Sequence, residues 1–192
     1  MLCLNMQLLI FYKIRLSISK NNHNFRGKQK GMEMELKELF DNSTVRRRDR
    51  LLDYDRAEEL LAEAEYGVLS LGGESGYGIP MNYALKGASL YFHCAPQGEK
   101  LQRVEQNHQA CFCVIGNTEV QPSTFSTIYE SVLAFGPIHL VEDDEERMAA
   151  LGLFVNKYSP DFKEIGRKYA EKALHKTAIL RLDIARMTGK RK

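Results

Sequence analysis

Residues 90–100 read LYFHCAPQGEK and bring His93, Cys94 and Lys100 close together in sequence. An apolar run ends near His93. A turn follows through Ala95 to Gly98, and a helical pattern carries Leu101 and Val104 on one face to about Asn107. A strand that turns into a helix offers free backbone N–H groups, and a phosphate needs such groups beside a cation. Lys100 falls in the first turns of that helix, where the dipole disfavours a cation. Contact with an anion would offset the cost; a solvated lysine is the alternative. His93 reads either as a site residue or as a structural histidine. Cys94 would have a lowered pKa in an electropositive pocket, but a small packing residue is its default.

Other candidates carry less chemistry. Cys111 and Cys113 are two apart on a strand and share a face, yet two thiolates do not complete a tetrahedral metal site. The run Glu142–Glu146 lacks the spacing of a calcium loop and suits the positive end of a helix. No metal site is expected. His139 and His175 stay unassigned, and no nucleophile–base–acid set comparable to a hydrolase triad stands out.

The elements that position these residues follow from periodicity. LLDYDRAEELLAEAEYG predicts a helix near 56–64, capped by Asp53 or Asp55. YGVLSL (66–71), YGIPMNYAL (77–85) and ASLYFHC (88–94) predict three strands of an antiparallel meander, with Pro80 placing the second at an edge. ACFCVIG (110–116) is a fourth strand, followed by a polar loop over 117–124. FSTIYESVLAFGPIHLVE (125–142) is the longest strand, broken by a bulge or bend at Gly136–Pro137. Helices follow over 142–159 and 161–174, and a single strand over 176–190 closes the chain. Six or seven antiparallel strands with peripheral helices do not alternate as a doubly wound sheet does. A small closed barrel is the expected solution.

Charge divides the chain. Residues 1–32 carry six basic and no acidic side chains, of 27 basic and 25 acidic in all. The remaining 21 against 25 leave a mildly acidic body, which argues against a nucleic-acid coat. Residues 1–33 read as a disordered or misassigned N-terminal extension, and 34–192 as a single domain. No apolar run reaches membrane-spanning length, and four cysteines without a disulfide or zinc pattern fit a reducing cytoplasm.

Taken together, VRRRDR (45–50), VLSL (68–71), GIPMNY (78–83), LYFHCAPQGEK and IYESVLAFGPIHLV resemble the pyridoxamine 5'-phosphate oxidase-like flavoproteins, most nearly their nitroimidazole-resistance branch. The resemblance spans about residues 44–187. It implies a mostly β, split β-barrel fold that binds FMN, with flavin sites in the interface of a homodimer. It also implies flavin contacts from Pro80, Met81, Asn82 and Tyr83, with Asn82 near the ring's pyrimidine edge. His93, Cys94 and Ala95 would lie near the ribityl phosphate, with Gly98 allowing close passage and Lys100 pairing with the phosphate. Ser131 and Val132 would contact the ring, and one arginine of Arg46–Arg50 would reach substrate or flavin. His93 is the candidate catalytic residue.

The function so implied is an FMN-dependent oxidoreductase, with NADH or NADPH as donor and a small planar acceptor such as a nitroimidazole. The tail MTGKRK lacks the arginine–histidine pair of true pyridoxamine phosphate oxidases, which disfavours vitamin B6 oxidation. The alternative is a non-catalytic flavin- or haem-binding or sensory protein, with His93, His139 or His175 as axial ligand. A nucleic-acid or membrane partner is not expected.

Overall fold

Strand β1 (Tyr66–Leu71) alternates strictly between exposed and buried residues, so Gly67, Leu69 and Leu71 point into a core and Tyr66, Val68 and Ser70 point out. A computed structural model describes residues 34–73 and 75–192. Expectations for residues 1–33 lie outside the described residues. Seven further strands follow: β2 (Tyr77–Asn82), β3 (Ala84–Lys86), β4 (Ser89–Cys94), β5 (Gln109–Gln121), β6 (Ser126–Leu140), β7 (Ala178–Asp183) and β8 (Arg186–Arg191). All pair antiparallel, in the order β2-β1-β5-β6-β7-β4-β3, with β8 also on β6.

Among the described residues four α-helices pack around the sheet: α1 (Tyr54–Glu63), α2 (Glu99–Gln106), α3 (Asp144–Tyr158) and α4 (Lys163–Ala173). Asp53 caps α1 by accepting from the Arg56 amide, and Asp143 caps α3 by accepting from the Glu146 amide. The larger core fills the inner face of the sheet, with Tyr83, Phe92 and Phe112 packed edge to face at its centre. A second core lies beneath α3 and α4, where Phe154, Leu151 and Ala170 cover Tyr91 and Ile179. Strand β4 is therefore covered on both faces at Leu90, Tyr91 and Phe92, which explains its continuous apolar run.

The sheet is not a closed barrel, contrary to the expected FMN-binding split β-barrel, and it has eight strands rather than six or seven. Its ends, β2 and β3, are neighbours in sequence yet do not pair with each other. The break lies at Tyr83. Its amide donates to the Tyr158 hydroxyl at 3.1 Å, and its carbonyl lies 2.8 Å from that same oxygen. A side chain of α3 thus takes the groups that a neighbouring strand would have used. The predicted strand over 77–85 becomes two, and the three-strand meander becomes two separate antiparallel pairs, β1–β2 and β3–β4.

Two other boundaries move. The predicted loop over 117–124 is mostly strand, because β5 and β6 extend as a paired arm and resume beyond a bulge between Ile115 and Thr118. The last predicted strand divides at the Ile184–Ala185 corner into β7 and β8. Gly136–Pro137 is the expected bend: before it β6 pairs with β8, and after it with β7.

Candidate functional site

The end of β4 turns through Ala95, Pro96 and Gln97 and enters α2 at Gly98. Alternation sends Tyr91 and His93 toward α3, and Phe92 and Cys94 toward the main core. His93 is exposed at one side and stands edge-on to Phe154, with ring centroids 4.6 Å apart. Partial burial and the nearby Lys100 charge hold its pKa below the usual imidazole value. Cys94 also feels Lys100, but burial dominates and raises its thiol pKa. Cys94 packs against the main core.

Gly98 has φ 132°, and a β-carbon there would meet nothing within 4 Å. The position needs glycine for its backbone conformation and opens onto free space. Its carbonyl accepts the first bonds of α2, from Leu101 and Gln102. The Glu99 and Lys100 amides precede those bonds and have no intrahelical acceptor. His93, Cys94, Ala95, Gly98 and Lys100 are thus gathered at one strand-to-helix turn. Pro96, Gln97 and Gly98 also line a 610 Å³ cavity with His108, His139 and Glu142.

The other expected residues scatter. Pro80 and Asn82 face outward on β2, whereas Met81 points into the core and Tyr83 is fully buried. The Asn82 side-chain amide donates to the Glu65 carbonyl at 2.9 Å, and the Tyr83 hydroxyl donates to the Leu61 carbonyl. Ser131 lies on the outer sheet face between Ile115 and Lys190, while Val132 is completely buried. Within one chain Ser131 lines a different cavity from the β4–α2 turn. Among Arg46–Arg50, Arg46 lines that outer cavity and Arg47 is engaged by Asp49.

Cys111 and Cys113 share the outer face, as their spacing predicts, and both are half-buried. Burial and then the neighbouring Cys113 push the Cys111 thiol up to about 11, with the Arg186 charge opposing them; burial raises Cys113. Among the described residues no group of three His, Cys, Asp or Glu side chains could hold a metal ion, and no helix is long and apolar enough to cross a membrane.

Two features escaped the sequence reading. One is the α3 end, where Lys157 Nζ donates to the Ala64 carbonyl at 2.8 Å and lies 4.0 Å from the Tyr83 ring centroid. The other is the outward row Arg186, Thr188 and Lys190 on β8. Its period of two is readable from sequence, but only if 184–185 is recognised as a corner.

Residues 53–191 match the sequence profile of the pyridoxamine 5'-phosphate oxidase family. The chain belongs to that family. No curated protein matches it. Among solved structures, this family member shares its fold with a candidate 5-nitroimidazole antibiotic resistance protein from Bacteroides thetaiotaomicron, at 24% identity and TM-score 0.63, covering 73% of this chain and 85% of the other. A flavocytochrome from Azotobacter vinelandii aligns at 20% identity and TM-score 0.63, covering 73% and 67%. An FAD- and haem-binding protein from Mycobacterium smegmatis aligns at 20% identity and TM-score 0.58, covering 74% and 73%.

Proposed function

We propose that this family member binds FMN non-covalently and acts as an oxidoreductase on a small planar acceptor, a nitroaromatic being one candidate. The observation that carries the reading is the β4–α2 turn. Lys100, whose charge reaches His93 and Cys94, shares this turn with the open Gly98 and two helix-start amides that have no intrahelical acceptor, and the chemistry of that donor set fits a phosphate dianion. Bound FMN would supply two-electron chemistry between a nicotinamide donor and the acceptor. Lys100 would neutralise the phosphate, and the Glu99 and Lys100 amides would donate to its oxygens. His93, kept neutral near pH 7, would offer a hydrogen-bond donor and acceptor beside the site without adding charge.

A homodimer is part of this reading. The outer sheet face presents Tyr66, Val68 and Ile115, which are 63%, 36% and 59% exposed, beside half-buried Leu133 and Phe135. Such a face favours a covering surface, and a second copy would bring its own Ser131 and outer cavity to the interface.

The test is the visible spectrum of the purified full chain. Bands near about 375 and 450 nm indicate flavin; a colourless protein that never takes up FMN sinks the proposal. Bleaching by NADH or NADPH, followed by reoxidation with a nitroaromatic, supports turnover. A flavin that no nicotinamide bleaches favours the non-catalytic alternative. That alternative draws on the names of the two haem-associated neighbours and on His108 and His139 lining one cavity; a Soret band would establish it.

A further inference from the structure

Helix α4 turns two different sides to its surroundings. Ala170 and Ala173 are its buried positions, and Ala170 joins the second core with Leu151 and Phe154 of α3. Ile165 and Tyr169 stand one turn apart on another face, and Phe162 precedes them at the end of the short turn Pro160–Phe162. Ile165, Tyr169 and Phe162 are 68%, 69% and 61% exposed. Scattered apolar residues on a surface are ordinary, whereas a contiguous row marks an interaction surface.

Lys168, Lys172 and Lys176 recur at intervals of four, with Lys176 in the short turn that ends the helix. They form a second row directly beside Ile165 and Tyr169. All three are exposed, and no carboxylate among the described residues lies within salt-bridge distance of them. Glu171 pairs with Arg167 instead, at 3.2 Å. Glu164, one turn before Lys168, makes no ion pair with it. Residues 160–176 carry five basic and three acidic side chains, within a body that is acidic as a whole. Positive charge is thus concentrated where apolar surface is exposed.

Shape selects the partner. The apolar row is a ridge: none of its three side chains lines the 360 Å³ cavity between α3 and α4. A peptide or partner helix is held by a groove, whereas a ridge can sink into a bilayer surface. Lysine stems cover apolar surface while their ammonium groups reach outward to lipid phosphates. Tyrosine suits that boundary, with an apolar ring and a polar tip. A second copy docked through the same face would bring one lysine row up to another.

We infer that α4 is a docking surface for an anionic lipid bilayer, lying in the headgroup plane with Phe162, Ile165 and Tyr169 inserted. Such a helix lies on the membrane and needs no spanning length. The expectation of no membrane partner rested on spanning length, and this surface replaces it. None of the three apolar side chains lines the cavity at the β4–α2 turn or the one on the outer sheet face, so the inference is independent of the flavin reading.

Co-sedimentation of the purified full chain with vesicles tests it, using phosphatidylcholine and phosphatidylglycerol in equal parts, and phosphatidylcholine alone. The chain binds the anionic vesicles, and the neutral ones at least about tenfold more weakly. Salt at about 0.5 M weakens the anionic binding. Lys168→Gln combined with Lys172→Gln lowers partitioning by about tenfold or more, and Ile165→Ser lowers it by a similar factor. These positions are exposed, so melting temperatures stay unchanged. No binding to anionic vesicles, or equal binding to neutral ones, overturns the inference. Binding that the substitutions leave unchanged arises elsewhere in the chain, the basic residues 1–32 included, and overturns it too. Sedimentation velocity adds a further check: a dimer that dissociates in either variant makes the row a subunit interface, and the inference falls. The visible spectrum of the same sample separates the two readings. A yellow protein that ignores the vesicles sinks the docking surface alone, and a colourless protein that binds them sinks the flavin alone.

Discussion

Gly136 lies directly against the backbone of Asp183: a β-carbon on Gly136 would stand 1.8 Å from the Asp183 carbonyl oxygen. That contact lets β6 leave β8 and join β7, and so forms the corner of the sheet. Gly136→Ala must push two backbone segments apart, and the expected loss is more than about 4 kcal/mol, beyond the ordinary range for a point change. Chemical denaturation checks it; a variant with near-native stability would show that the corner yields easily.

Gly152 gives the opposite expectation. It lies inside α3, and a β-carbon there would meet nothing within 4 Å. Gly152→Ala removes the backbone freedom that the helix must restrict, and stability rises by about 0.5–1 kcal/mol. A lower melting temperature would contradict the helix as described.

Tyr83 ties the split to α1. Its ring is fully buried between Phe112 and Lys157, and its hydroxyl donates to the Leu61 carbonyl in the last turn of α1. Tyr83→Phe keeps the ring packing and leaves that carbonyl without its partner. The expected cost is about 1–3 kcal/mol, read as a lower denaturation midpoint with an unchanged slope.

These residues also show how far sequence reaches. The period of two in YGVLSL, the Asp53 cap and the acidic start of the helix after Glu142 are local properties, and each predicted element carrying them forms nearly where expected. The Gly136–Pro137 bend was legible because both residues disrupt a regular ladder. The opening of the sheet was not. It depends on the Tyr158 hydroxyl meeting Tyr83, two residues 75 positions apart whose encounter no local period encodes. The site divides similarly: the β4–α2 turn is contiguous and readable, whereas the outer cavity lined by Arg46 and Ser131 unites distant segments.

Lys157 makes stability depend on pH. Burial against Tyr83 pushes its ammonium down to about 8 from 10.5. Between those values the unfolded chain binds more protons than the folded one, so stability rises with pH across that window. The penalty is fully present below about pH 8. Lys157→Met removes the titrating group and flattens this part of the profile. Parallel denaturation series from pH 7 to 10 for both proteins measure the difference, and identical slopes would remove Lys157 as its source.

Lys100 and His93 offer a test of the candidate site that separates electrostatics from structure. Lys100 is half-buried in the first turn of α2, and its charge helps to hold His93 below the usual imidazole pKa, after burial. Lys100→Ala removes one of those two causes, so the His93 titration followed by NMR moves upward but stays below 6.5. The same substitution leaves the melting temperature nearly unchanged, because the side chain belongs to neither core cluster. Under the FMN proposal it also weakens cofactor retention, by about tenfold or more for loss of a charge-assisted contact to phosphate. If His93 moves while flavin affinity does not, Lys100 neighbours the histidine but does not hold the phosphate. If flavin affinity falls while Lys100→Arg restores it, the positive charge itself carries the binding.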